Sequence, residues 1–161
     1  VYVHRLCESL GNNNVVNNPS FDANGADTQT PSGWSEYSPN NTTGASYTET
    51  NGGSNSGARH LTHWSGSAYQ VYTYQTRTGL ANGNYTLKAW IRSSGGQNSC
   101  RMEAKDYGGS RRDFNIGAAS GYKQIVMENI NVTNGQCTIG FWSNGNANNY
   151  IFVDDVELSR Q

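Results

Sequence analysis

Apolar side chains recur at every second position in several stretches of this chain, a rhythm that a strand with one buried face produces and a helix does not. In Tyr85–Arg92, Leu87, Ala89 and Ile91 fall on one side, and Lys88, Trp90 and Arg92 on the other. In Cys100–Lys105, Cys100, Met102 and Ala104 alternate with Arg101, Glu103 and Lys105. From Cys137 to Ser143, Cys137, Ile139 and Phe141 oppose Thr138, Gly140 and Trp142. Read as neighbouring strands of one sheet, these stretches place two indoles and a set of charges on a common outer face. An indole left in water is unfavourable, so such a face suits a flat, partly apolar ligand, and a sugar ring has that shape.

Strand-like runs are predicted over 45–50, 58–64, 69–76, 84–93, 99–107, 122–132, 136–143 and 150–159, with no helix. Asn82-Gly83 and Asn134-Gly135 are expected to make hairpin turns between such runs. Eight short strands with closely spaced turn signals predict an all-β protein, a jelly-roll β-sandwich of two antiparallel sheets. The 161 residues suffice for one domain. The module is expected over 14–161, with 1–13 a linker or the remnant of a preceding domain. Trp34, delivered by the turn Pro31-Ser32-Gly33, is expected to plug one end of the sandwich. The stretches 31–44 and 106–121 are expected to be loops whose lengths decide whether the face is open or walled.

Eleven Lys and Arg against twelve Asp and Glu leave no field that would draw nucleic acid or an anionic membrane, and neither is expected as a partner. No apolar run approaches the roughly 20 residues of a membrane-spanning helix. Eighteen aromatic residues and low charge separate this chain from disordered sequences. A start without methionine points to a processed product or an excised fragment, expected to be secreted and monomeric. Cys100 and Cys137 share parity with core-facing neighbours; they are either two buried thiols or a disulfide. Cys7 lies in the leader and is expected to be unpaired.

A hydrolase needs two matched carboxylates, or a nucleophile with its base. Here only Glu103 projects from the charged face. Arg101 and Lys105 flank it and hold it ionised, which suits accepting hydrogen bonds and not donating protons. His60 and His63 stand in no nucleophile motif and read as polar strand residues. Binding without catalysis is therefore expected.

The stretches Asn18-Pro19-Ser20-Phe21-Asp22, Gly33-Trp34, Ser56-Gly57-Ala58-Arg59-His60-Leu61, Gly79 to Trp90 and Phe152-Val153-Asp154-Asp155-Val156-Glu157-Leu158 together resemble a superfamily of jelly-roll carbohydrate-binding modules. The middle, Trp90 to Lys105, is most similar to the family 61 modules attached to β-1,4-galactanases. The resemblance covers roughly 15–159. It implies a non-catalytic module that holds a parent glycoside hydrolase, in the same polypeptide, on plant cell-wall polysaccharide. It also implies a structural calcium joining the N-terminal segment to the last strand. Asp154, expected to point inward with Phe152, Val156 and Leu158, and Asp22, standing where relatives carry Glu, are its candidate ligands. The alternative for Asp154 is a carboxylate capping backbone amides.

For the ligand, Trp90, Trp142 and Trp64 are the candidate stacking platforms. Arg92 and Arg101 are candidate donors to vicinal hydroxyls, with Glu103 accepting and Lys105 and Asn144 assisting. Two alternatives follow. Lys88, Arg92, Arg101 and Lys105 against Glu103 alone would suit an acidic pectic or sulfated polysaccharide. Glu103 or His63 as a base would suit a small jelly-roll lyase or hydrolase.

Overall fold

The computed structural model describes residues 13–161. The strands are β1 (Ser35–Tyr37), β2 (Ser46–Glu49), β3 (His60–Trp64), β4 (Tyr69–Arg77), β5 (Gly83–Ser93), β6 (Ser99–Lys105), β7 (Arg112–Asn115), β8 (Ala119–Val132), β9 (Cys137–Gly145) and β10 (Tyr150–Arg160). One 3-10 turn, Thr43–Ala45, precedes β2, and there is no α-helix among the described residues. Two five-stranded sheets form, ordered β1-β4-β9-β6-β7 and β2-β3-β10-β5-β8, with every pairing antiparallel. The protein is thus an all-β sandwich, as its alternation predicts. β1 and β7 lie in the stretches 31–44 and 106–121 that were expected to be loops, which corrects that reading. The predicted leader, 1–13 with Cys7, lies outside the described residues except for Asn13.

The chain changes sheet between β1 and β2, β3 and β4, β4 and β5, β5 and β6, β7 and β8, β8 and β9, and β9 and β10. Asn82-Gly83 and Asn134-Gly135 therefore close no hairpins. They sit in neighbouring arches between the sheets, joined by Leu80 N–H to the Gly135 carbonyl (2.9 Å) and Gly135 N–H to Asn82 Oδ1 (3.0 Å). Only β2–β3 and β6–β7 join consecutive strands within a sheet.

The core lies between the sheets. Leu61, Leu87, Ala89, Ile91, Ile151 and Val153 face Met102, Ala104, Ile139 and Phe141, all fully buried. Trp34 closes one end as expected, 5.1 Å from Phe21 and 6.3 Å from Phe141 between ring centroids, its indole N–H donating to the Asn18 carbonyl (3.1 Å). Cys100 and Cys137 are both buried and both free thiols. Cys100 stands opposite Ser143 on β9, whereas Cys137 begins that strand and stands opposite Arg77. Six residues at about 3.3 Å each put some 20 Å between them, far beyond the reach of a disulfide.

One line of the interior is polar. His63 Nδ1 lies 2.8 Å from Ser143 Oγ, its Nε2 lies 2.8 Å from Thr73 Oγ1, and Thr73 in turn meets Ser46 Oγ at 2.6 Å. These bonds tie β3 to β4 and β9 across the sandwich and satisfy groups that would otherwise be costly to bury. Burial pushes the His63 imidazole down from 6.5 to about 3. The unfolded chain protonates this group near 6.5, so its contribution to stability is complete above that pH. It is lost as pH falls toward 3, at about 1.4 kcal/mol per pH unit. We expect the His63 ring resonances in NMR to stay flat from about pH 8 to about pH 4.5, while an exposed histidine titrates near 6.5; a midpoint near 6 for His63 contradicts a closed interior.

Candidate functional site

The topology divides the predicted binding residues between two opposite faces. β5 belongs to the β10 sheet, so Trp90 and Arg92 point outward on one side together with Trp64 of β3. β6 and β9 belong to the other sheet, so Arg101, Glu103, Lys105, Trp142 and Asn144 point outward on the far side. The reading of a single shared face is corrected accordingly. So is its charge sum: Lys88 and Arg92 never meet Arg101 and Lys105, and Lys88 approaches Glu157 at 3.9 Å. The premise for an acidic polysaccharide fails with it.

A concavity of about 430 Å³ lies on the β10 sheet. Its floor is one cross-strand row, Tyr47–Thr62–Phe152–Arg92, with Trp64 opposite Tyr150 in the row beside it. Trp64 is 40% exposed, while Tyr150 and Phe152 pack against each other at 4.8 Å. Asn51 and Gly52 of the β2–β3 loop form a wall, and Glu49 completes the lining. Gly52 fits because it has no side chain: its φ is +81°, and a Cβ there would sit 2.5 Å from the Phe152 ring. The Arg92 guanidinium lies over the rings of Phe152 (5.6 Å) and Tyr122 (5.8 Å) and donates to the Gly52 carbonyl (2.9 Å). Tyr122 reaches the same loop through the Gly53 carbonyl (2.8 Å). Thr62 Oγ1 and Arg92 Nε are buried with no hydrogen-bond partner among the described residues. An aromatic floor with a few unpaired polar atoms is the usual composition of a small-ligand site.

Trp90 does not join this groove. It lies in the row Asp154–Trp90–Gln124 and lines a separate hollow of about 290 Å³ with Asn14, Pro19, Ser20 and Asp155. On the far face, Trp142 donates its indole N–H to Ser99 Oγ (2.9 Å), and Arg101 covers it at 5.5 Å. Glu103 is 3% exposed and is held by the Arg101 Nε–H (2.5 Å) with Arg111 at 4.0 Å. Asn144 accepts from the Asn98 amide (3.3 Å). Of the two candidate bases, Glu103 lies in this ion cluster at the edge of a hollow of about 180 Å³, and His63 lies between the sheets. Sequence reasoning missed Tyr150 and Phe152. Their parity with Trp64 was hidden by a β-bulge farther along β10.

That bulge also reorients Asp154. Ile151 and Val153 face the core, so Phe152 and Asp154 face outward, which corrects the inward reading. The register shifts between Asp154 and Glu157, with Asp155 at φ +49°, and beyond it Val156 and Leu158 turn inward. Asp154 is nonetheless fully buried, because the β2–β3 loop folds over it. Its Oδ2 accepts the backbone N–H of Asn55 (2.9 Å) and Ser56 (3.0 Å), and its Oδ1 that of Asp155 (2.9 Å). Asp22 Oδ1 accepts the N–H of Ala58 (3.1 Å) and Arg59 (2.8 Å) from the same loop. Asp155 accepts from Ser20, Ser56 and Asn55.

A calcium site surrounds the ion with oxygen acceptors. Here the carboxylates face N–H and O–H donors, and no three His, Cys, Asp or Glu converge among the described residues. We propose that hydrogen bonds, the alternative held open for Asp154, make the junction that the resemblance assigns to calcium. Burial pushes the Asp154 carboxyl up to about 7 against the pull of its amides. We expect EDTA to leave the thermal midpoint unchanged, whereas Asp154→Ala, which strands three amides, lowers stability by roughly 2–4 kcal/mol. A fall of several degrees with EDTA, reversed by excess calcium, contradicts the hydrogen-bonded junction.

No family model matches the chain. In sequence it is similar to a 1,6-alpha-glucosyltransferase of Sporosarcina globispora, 29% identical over 156 residues. That match takes in 92% of this chain and 12% of the glucosyltransferase, so the chain spans about an eighth of that relative. In structure it is similar to TmCBM61 in complex with β-1,4-galactotriose, at TM-score 0.79 and 21% identity over 93% of this chain and all of the other. It is also similar to a family 16 carbohydrate-binding module, at TM-score 0.64 and 17% identity over 91% of this chain and all of that one. The fold is the jelly roll of carbohydrate-binding modules.

Proposed function

We propose that this chain is a non-catalytic module that binds a neutral glycan in the Trp64 groove and holds an appended carbohydrate-active enzyme on its substrate outside the cell. One observation supports this most strongly: a 40% exposed indole borders a half-walled concavity of about 430 Å³ whose buried polar atoms lack partners. A sugar ring stacked on Trp64 or Tyr150 buries its C–H face. Its hydroxyls lie within the compass of Glu49 and the Arg92 fork, one accepting and the other donating. One cation and one carboxylate in the lining favour an uncharged chain.

Among neutral glycans, β-1,4-galactan comes first. The sequence resemblance to family 61 and the likeness to a module crystallised with galactotriose both support it. A galactose ring also offers an uninterrupted apolar face with its axial hydroxyl on the opposite side. A second reading, α-1,6-linked glucan, draws on the relatedness to a 1,6-alpha-glucosyltransferase. In affinity gels cast with galactan, dextran or a pectin, we expect retardation by galactan that Trp64→Ala weakens about tenfold. Retention should hold from about 50 to about 500 mM salt, because stacking on a neutral sugar is not screened. Retention by dextran alone selects the second reading; retention by pectin alone, lost at high salt, or full retention by the Trp64→Ala variant rejects the groove.

A further inference from the structure

We propose that Asn51 is a self-modifying site, where the chain closes a succinimide with Gly52 and turns a neutral stretch of the groove wall anionic. Five Asn-Gly steps occur: Asn24-Gly25, Asn51-Gly52, Asn82-Gly83, Asn134-Gly135 and Asn144-Gly145. A glycine after asparagine leaves the next backbone nitrogen unhindered, because no Cβ stands beside it, so each step has the composition for cyclisation. The fold separates them.

Four of the steps are held. Asn24 donates to Ser32 Oγ (2.9 Å) and accepts the Ser32 N–H (3.0 Å), while the Gly25 N–H is committed to the Asp22 carbonyl (3.1 Å). Asn82 Oδ1 accepts the Gly135 N–H (3.0 Å), so the side chain of one step occupies the reacting nitrogen of another. Asn134 donates to the Asp106 carbonyl (3.1 Å), and Gly83 lies in β5 opposite Val132. Asn144 and Gly145 lie inside β9 opposite Gln70 and Tyr69 of β4, and Asn144 also accepts from Asn98 (3.3 Å). Asn51 and Gly52 differ: both are exposed, and neither the Asn51 side chain nor the Gly52 N–H has a hydrogen-bond partner among the described residues. They are the central pair of a turn closed by the Gly53 N–H on the Thr50 carbonyl (3.3 Å), with Gly52 at φ +81°.

The reaction needs only water and hydroxide. Hydroxide takes the Gly52 amide proton, the nitrogen bonds to Asn51 Cγ, and the Cγ–Nδ2 bond breaks, the amide leaving as ammonia with a proton from water. Water then opens the cyclic imide at either carbonyl. Opening at Cγ gives aspartate, whereas opening at the main-chain carbonyl carries the backbone through Cβ and Cγ and gives isoaspartate. Either product adds a carboxylate to a groove whose charged lining is Glu49 and Arg92. Isoaspartate also lengthens the main chain directly before Gly52, which packs against the Phe152 ring and whose carbonyl holds Arg92 (2.9 Å). The wall then shifts away from Arg92. The effect on a glycan rests on the groove reading of the proposed function; the modification itself does not.

The test is peptide mapping by mass spectrometry after the full chain is incubated at mildly alkaline pH, folded or in guanidinium, with isoaspartyl methyltransferase labelling of the product. Freeing a held step means first breaking one or two hydrogen bonds of ordinary net strength. In the folded chain Asn51 is therefore expected to exchange NH2 for OH roughly tenfold faster than any other Asn-Gly step. In guanidinium the five rates should converge. A folded chain that reacts first elsewhere, reacts at all five alike, or keeps Asn51 intact while the unfolded chain reacts overturns the proposal. Galactan gels then compare the incubated chain with incubated Asn51→Gln, whose longer side chain cyclises far more slowly. Retention lost only by the unsubstituted chain supports the altered wall, and equal retention overturns that consequence. Fresh protein that no gel retards defeats the groove reading and leaves the mapping to decide the modification.

Discussion

The hydrogen bonds that Asp154 and Asp155 make to the β2–β3 loop join the last strand, the groove wall and the N-terminal segment into one unit. Because Asp155 adopts a left-handed backbone, β10 changes parity midway. Its first half gives Phe152 and Tyr150 to the groove, and its second half gives Val156 and Leu158 to the core. The carboxylate left at the crossover, Asp154, pins the loop at Asn55 and Ser56. The same loop, a few residues earlier, forms the groove wall at Asn51 and Gly52 and is stayed again by Arg92 and Tyr122. Ser20 and the Pro19 carbonyl, meeting Asp155 and the Val156 N–H, bring the N-terminal segment into the same knot. A fault in β10 thus fixes the shape of a surface on its outer side.

That economy explains why the sequence disclosed the architecture better than the site. Alternation in Leu87, Ala89 and Ile91, or in Cys137, Ile139 and Phe141, reports which side chains are buried, and it did so correctly along most of each strand. It carries no information about which sheet a strand enters. β5 and β6 have the same rhythm yet lie back to back, because a short arch can turn between layers as readily as within one. Trp90 and Trp142 therefore seemed to be neighbours and are separated by the whole sandwich. The bulge was equally silent: in Phe152-Val153-Asp154-Asp155-Val156 nothing local distinguishes a continuous strand from one with an inserted residue. Trp64 was legible, because it ends the run Leu61-Thr62-His63-Trp64 just before a flexible Ser-Gly-Ser. β1 and β7 were not, since three- and four-residue edge strands are too short to show a period.

Electrostatics follow from the same layering. Charges that sum to a cationic patch when assigned to one sheet resolve into locally neutral sets when each strand takes its place: Arg92 near Glu49, Lys88 near Glu157, and Arg101 with Arg111 around Glu103 and Asp113. Ion pairs this exposed contribute little stability. They do hold planar guanidiniums in place beside aromatic rings, which is the geometry that hydroxyl-rich ligands use. Glu103 is the exception. Nearly buried among cations, it fixes Arg101 over Trp142.

Burying the titratable interior and leaving the outer aromatics open has a physical consequence for how such a domain works. The His63 line and the alternating core make the sandwich rigid, with layers about 10 Å apart. Rings standing on its two outer faces are then fixed relative to one another without any ligand present, so little ordering is left to offset the gain from stacking. The β-sandwich is well suited to this because its outer surfaces are products of the same alternation: whatever a strand does not commit to the core, it must display.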